Sequence, residues 1–162
     1  MAVADPLRAA RGLALLAPGV LLGGAYVSQY GFGLYPCEMC WWQRYPHFAA
    51  LALAVAAWLR PPGTALLWLA ALALAATSAI GLFHAGVEYG WWQGLTACST
   101  DLPAGGDPLE AIFATPPVRC DVAPWSLFGV SLAGGNFLFS GLAAAAIAAL
   151  LARGHGKKGL SG

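Results

Sequence analysis

Four long apolar stretches, at 13–30, 41–59, 64–83 and 127–151, take up most of this 162-residue chain. Each is close to the ~20 residues that carry a helix across ~30 Å of hydrocarbon. One such stretch on its own is compatible with a buried helix of a soluble domain. Four in one short chain are not, because too little polar sequence remains to cover them: 9% of residues are charged, against about 25% in an ordinary soluble domain. The expected fold is therefore an all-α membrane protein, a four-transmembrane-helix bundle forming a single domain over 1–162. Arg8 and Arg11 before the first apolar core also fit a cleaved signal peptide. The length of that core, and the lack of a small-x-small cleavage site before Tyr26 and Gln29, favour a retained helix.

Lys and Arg set the orientation. Arg8 and Arg11 precede the first helix, Arg60 sits in the Pro61-Pro62-Gly63 turn, and Arg153, Lys157 and Lys158 follow the last helix; only Arg44 and Arg119 fall on the other side. Six against two places both termini in the cytoplasm. The loops at about 31–39 and 84–126 then face outward, and with them Cys37, Cys40, Cys98 and Cys120. Four thiols on the oxidising side of a membrane most simply form two disulfides.

The first outer loop is short, and helix arithmetic fixes where it ends. From Pro46 to Leu59 there are only fourteen residues, about 21 Å of helix, too little to cross the bilayer core. The second helix must begin near residue 40, which puts Cys37 and Cys40 in its first turn. Free backbone N–H groups and the helix dipole stabilise a thiolate there. Pro46 is expected to kink the helix. Arg44 lies one turn past Cys40 on the same face. It reads either as a snorkelling anchor among Trp41, Trp42 and Tyr45 or as a fixed charge that stabilises a thiolate and the anion of a reduced carbonyl compound. Gln43 reads as interface polarity. His47, a further turn on, is placed to help bind a polar headgroup.

The second outer loop is too rich in Pro, Gly and acidic residues to enter the membrane. Asp107-Pro108-Leu109-Glu110 resembles a helix start, with Asp107 as cap, and Leu109, Ile112 and Phe113 would give that helix an apolar face. A Cys98–Cys120 disulfide would close a loop of about twenty residues, stabilising it by roughly 3 kcal/mol in the chain-entropy model. It reads as a structural staple or, given Gly105-Gly106 and the prolines, as a mobile disulfide that meets other sulfurs.

Other chemistries fare less well. Structural zinc usually takes two C-x-x-C knuckles, and this chain has one. His84 with Glu88 one turn on is a possible ligand pair, although a lone histidine there is more often an interface residue. His155 reads as solvated. No phosphate loop, Ser-His-Asp pattern or nucleic-acid signature is present.

Cys37-Glu38-Met39-Cys40-Trp41-Trp42-Gln43-Arg44 resembles the C-x-x-C-x-x-x-R signature of the DsbB family of membrane disulfide bond formation proteins. The likeness extends to the helix count, the long second loop with its own cysteine pair, and the stretch His84-Ala85-Gly86-Val87-Glu88. That resemblance implies a bacterial inner membrane protein and a quinone, ubiquinone or menaquinone, as electron acceptor. It also implies a periplasmic DsbA-like thiol oxidase as partner. Carried onto this sequence, a partner thiolate attacks Cys98 of a Cys98–Cys120 bond, Cys120 attacks Cys37 of a Cys37–Cys40 bond, and Cys40 is left as the thiolate beside the quinone. Arg44 would hold the quinone oxygen, with His47 and His84 as further quinone-site residues and no metal. The rival expectations are a structural tetraspan protein with two inert disulfides and a transporter moving reducing equivalents outward; the second needs cysteines within reach of the cytoplasm.

Overall fold

The computed structural model describes residues 5–96, 98 and 118–159. Four helices are seen: α1 (Pro6–Phe32), α2 (Glu38–Leu59), α3 (Thr64–Glu88) and α4 (Leu132–Gly159). A two-stranded antiparallel hairpin, β1 (Ser126–Leu127) and β2 (Val130–Ser131), precedes α4, with Ser126 opposite Ser131 and Leu127 opposite Val130. The helix read at Asp107-Pro108-Leu109-Glu110 lies outside the described residues.

Capping chemistry sets the helix limits. Asp5 accepts the Leu7 N–H at 3.0 Å, and Pro6 occupies the first helical position, where its missing donor is harmless. Helix α1 therefore begins seven residues before the apolar run, taking Arg8 and Arg11 into its first turns. Helix α3 runs to Glu88 and so carries His84 and Glu88. Helix α4 begins at Leu132 rather than 127, because Phe128 (φ 51°) and Gly129 (φ 81°) adopt the left-handed conformation of a tight hairpin turn, which no α-helix contains. The Tyr89 hydroxyl at the end of α3 donates to Gly129 O at 2.9 Å and accepts from Ser131 N–H at 3.1 Å, fixing the hairpin to the bundle.

Helix α3 packs between α2 and α4, while α1 closes the other side against the same two helices. Among the described residues three helices, α1, α3 and α4 (to Gly154), are long and apolar enough to cross a membrane. The expected four-helix bundle is present, and three of its four helices meet the length and hydropathy expected of a span. Helix α2 falls short on hydropathy because Gln43, Arg44, Pro46 and His47 crowd its outer half. It remains helical through Pro46.

The core divides into two clusters. One is built on small residues, with Ala10, Ala14, Ala50, Ala54, Ala57 and Ala70 meeting Leu67, Leu74, Ile147 and Leu151. The other surrounds sulfur, with Cys37, Met39, Val87 and Cys120 buried among Trp42, Phe83 and Val118. Asn136 Nδ2 donates to Gln43 Oε1 and lies within hydrogen-bond reach of Thr77 Oγ1, and that hydroxyl donates to the Gln43 backbone carbonyl, linking three helices. Close approach at α3 demands glycine twice. A Cβ on Gly81 would lie 2.9 Å from Phe137 N and 3.0 Å from Ala133 O of α4. A Cβ on Gly86 would overlap the Trp92 indole. Trp92 folds back over the helix end, donating from Nε1 to Phe83 O at 2.9 Å and stacking on the Phe83 ring. Gly86→Ala is expected to expel this indole and destabilise the protein by about 1–3 kcal/mol, the usual cost of overpacking. Thermal unfolding in detergent, followed by tryptophan fluorescence, checks it; an unchanged midpoint would mean that the contact is absent.

Candidate active site

The i, i+3 spacing of Cys37 and Cys40 is the spacing of a helix cap. Cys37 is the N-cap of α2, with extended backbone (φ −75°, ψ 177°), and its sulfur accepts the Cys40 backbone N–H at 3.3 Å where a serine or aspartate oxygen would usually sit. The C-x-x-C pair thus uses one cysteine to terminate the helix and the other to supply the N–H that holds it. Both are free thiols, with sulfurs 3.2 Å apart, whereas Cys98 and Cys120 are joined. The expected two disulfides are therefore one disulfide and one dithiol. The hydrogen bond with the Cys40 side chain holds Cys37 well below the ordinary thiol pKa; burial opposes this, and the neighbouring His84 ring adds to it.

The two thiols face different surroundings. Cys37 is buried against the segment that follows α3, where its sulfur, a ring nitrogen of His84 and the Cys120 sulfur all lie within 4.8 Å of one another. His84 Nε2 is 3.6 Å from Cys37 Sγ and 3.1 Å from Cys120 O, and Glu88 Oε1 is 3.8 Å from the same nitrogen. Three such donor atoms are near enough for a metal ion, but the Cys120 sulfur is bonded to Cys98, so the arrangement suits sulfur exchange better than ligation. The buried Thr96 hydroxyl lies 3.0 Å from Cys98 Sγ and 3.5 Å from Cys120 Sγ.

Cys40 instead lines a cavity of about 620 Å³ between α1, α2, α4 and the hairpin. Its walls are mostly apolar, with Val20, Leu21, Leu138 and Phe139 among them, and its polar groups include Gln43, Arg44, His47 and Asn136. Arg44 is buried, donating to Gln29 Oε1 at 2.7 Å and to Ala25 O at 3.4 Å, with its guanidinium 5.0 Å from the Tyr26 ring centroid and 4.9 Å from that of Trp41. Two of its five N–H groups are engaged in this way among the described residues, which leaves donors for a guest. His47 is also buried, and its Nδ1 has no partner among the described residues. A fixed cation, an unpartnered ring nitrogen and apolar walls fit a lipid-soluble carbonyl compound.

Of the residues expected from sequence, Cys40, Arg44 and His47 come together at the cavity. Cys37, His84, Cys98 and Cys120 come together at the mouth of α2, against the end of α3. His84 is thus placed at the Cys37 sulfur and not among the cavity residues. Gln43 is not at an interface: it is buried, bonded through Nε2 to His84 Nδ1 at 2.8 Å, and accepts from Asn136 at 2.8 Å. Asn136 was missed, although it is the chain's only asparagine and stands in an apolar helix, a placement that marks function by its cost.

The model of the family described as disulfide bond formation protein DsbB matches residues 7–150. A similar protein is Disulfide bond formation protein B 2 of Pseudomonas syringae pv. syringae (strain B728a), 32% identical over 144 residues, covering 81% of each chain. No solved structure matches the chain. The family match begins in the first turn of α1, passes through both cysteine pairs and ends within α4: the chain belongs to the DsbB family of disulfide bond formation proteins.

Proposed function

We propose that the protein is a membrane disulfide oxidase that reoxidises a DsbA-like soluble thiol oxidase on the outer side of the bacterial inner membrane and passes the electrons to a quinone. The observation that carries this reading is the division of the dithiol: Cys37 adjoins Cys120, and Cys40 opens on the cavity that holds Arg44. Net turnover converts two partner thiols and one quinone into a partner disulfide and one quinol. When bound, the quinone supplies a two-electron acceptor in the cavity of Arg44 and His47.

Each sulfur of the chain has one task in that exchange. A partner thiolate attacks Cys98 Sγ, the Cys98–Cys120 bond breaks, and Cys120 leaves as a thiolate. Cys120 attacks Cys37 of an oxidised Cys37–Cys40 pair, and Cys40 leaves as the thiolate at the cavity. The partner's second thiolate then releases Cys98, which attacks Cys120, and Cys37 leaves in its turn. Re-formation of the Cys37–Cys40 bond gives up two electrons. His84 supports Cys37 in this order, because a hydrogen-bond donor beside a sulfur lowers its basicity and makes it a better leaving group. Arg44 supports the other end by offsetting negative charge that develops at the cavity. The excess of Lys and Arg at the termini and the α2–α3 turn orients the cysteines outward.

The test uses purified full-length protein, a reduced thioredoxin-like oxidase and a soluble quinone analogue. Quinone reduction coupled to partner oxidation is expected. Cys98→Ala is expected to abolish partner oxidation while Cys37 and Cys40 still react with quinone. Normal partner turnover in that variant would sink the relay order, and no quinone reduction by the unmodified protein would favour a structural protein with an inert disulfide.

A further inference from the structure

Gln43 and Asn136 bridge the thiol cluster and the cavity, yet the sulfur relay assigns neither a task. Their amide orientations are fixed by backbone carbonyls, which can only accept. Gln43 Nε2 donates to Met39 O at 3.2 Å, so its NH₂ group lies toward α3 and its oxygen toward α4. Asn136 Nδ2 donates to Thr77 O at 3.2 Å. It also lies 3.1 Å from Thr77 Oγ1, and that hydroxyl directs its own proton to Gln43 O at 2.8 Å, so it too can only accept. Asn136 Nδ2 therefore donates to Gln43 Oε1, and Asn136 Oδ1 is the acceptor facing His47 Nε2 at 2.9 Å.

Both histidines are then determined. Gln43 Nε2 donates to His84 Nδ1 at 2.8 Å, which requires that nitrogen to be bare and puts the proton of a neutral ring on Nε2. The far side agrees: His84 Nε2 faces the carbonyl of Cys120, an obligate acceptor, as well as the Cys37 sulfur. On His47 the proton must likewise sit on Nε2, which leaves the unpartnered Nδ1 bare.

We propose that Gln43 and Asn136 are positioning residues that set the protons on both buried histidines, keeping His84 a hydrogen donor to Cys37 and unable to act as its base. The inference rests on the oxidase reading for its purpose, since Cys37 leaves as a thiolate there and a bare ring nitrogen facing its sulfur would offer that charge no hydrogen bond. The groups facing Cys37 are the Cys40 thiol and backbone N–H from α2, His84 and Glu88 from α3, and Cys120 from the loop. Glu88 presents a carboxylate oxygen to His84 Nε2 at 3.8 Å and so favours a proton on the same nitrogen.

The full chain labelled with ¹⁵N-histidine in detergent micelles reads the protons directly, because bare and protonated ring nitrogens resonate far apart. The chain has three histidines, His47, His84 and His155, and single substitutions assign them. In the unmodified protein His84 and His47 are expected to carry Nε2–H with bare Nδ1. In Asn136→Asp the residue no longer donates to Gln43, and the amide turns over, giving up its bond to Met39 O for a charge-assisted one from its NH₂ to the new carboxylate. His84 Nδ1 then faces an oxygen and its resonance shifts to the protonated position, although residue 136 makes no hydrogen bond to His84. His47 keeps Nε2–H, because an acceptor still faces it. Gln43→Glu is expected to shift His84 in the same way and carries the test if Asn136→Asp fails to fold. A protonated Nδ1 on His84 in the unmodified protein, or an unshifted His84 in the folded variants, overturns the proposal. The spectrum needs neither quinone nor partner, so failure of the oxidase reading and failure of this inference are separately visible.

Discussion

Cys40→Ser is expected to bring quinone reduction down to the uncatalysed background while Cys37 remains a reactive thiol. Cys40 is the thiol that lines the cavity, and a serine hydroxyl neither forms a disulfide with Cys37 nor ionises near neutral pH. The serine hydroxyl can donate to Cys37 in place of the lost thiol, and the backbone N–H of residue 40 and the His84 ring remain, so the Cys37 thiolate should survive as pH falls through the normal thiol range. Iodoacetamide alkylation of Cys37 in this variant should stay fast at about pH 6, where an ordinary thiol with pKa ~8.5 is almost wholly protonated. The sign follows from the direction of the shift: a depressed pKa preserves the charged form on the acid side. Full quinone reduction by Cys40→Ser would break the mechanism. Quinone reduction at background with Cys37 alkylation lost near pH 6 would instead keep Cys40 in place and show that the Cys40 thiol itself, not the backbone N–H and His84, sustains the Cys37 thiolate.

The difference between the two cysteines was legible in sequence only as a difference of position. Spacing of i, i+3 and a helix too short without its outer turn place both at the mouth of α2, and Cys37 as N-cap is where that argument leads. What each sulfur touches depends on the rotation of α2 about its axis. A helix apolar on nearly every face gives no periodic stripe from which rotation can be read. The same gap hid the pairing of Gln43 with His84: two polar residues on different helices, 41 positions apart, meet only once both rotations are known. Asn136 carried its own signal, a lone amide in an apolar helix, and was passed over for the thiols.

Helix ends failed for local reasons. Arg8 and Arg11 mark the inner flank by charge, yet Asp5 and Pro6 start the helix before them, because cap chemistry and not hydropathy decides where a helix begins. At the other end of the chain, Leu127, Phe128 and Val130 read as membrane helix by hydropathy. The left-handed turn at Phe128-Gly129 makes them a hairpin over the cavity instead, with Leu127 and Val130 in its wall. The Lys and Arg bias behind the expected orientation, by contrast, is read from order along the chain and does not depend on these limits.

Arg44→Ala is expected to raise the KM for quinone about tenfold to hundredfold, the loss of one or two hydrogen bonds from a charged donor in a buried site. Its position is set from α1 and from its own helix: Gln29 Oε1 and Ala25 O take two of its N–H groups, and the Tyr26 and Trp41 rings flank the guanidinium. This matters for the control. Arg44→Lys keeps the charge but cannot bridge Gln29, the two rings and a guest together, because an ammonium has no planar fork. It should therefore recover only part of the loss. The Cys98–Cys120 bond should form normally in both variants, since Arg44 does not touch it, and this separates a quinone defect from a folding defect. Initial rates over a range of quinone-analogue concentrations, with free thiols counted in parallel, decide the matter. If quinone dependence is unchanged in Arg44→Ala, Arg44 is a membrane-edge anchor held by α1, and the charge at the cavity must be balanced by another group.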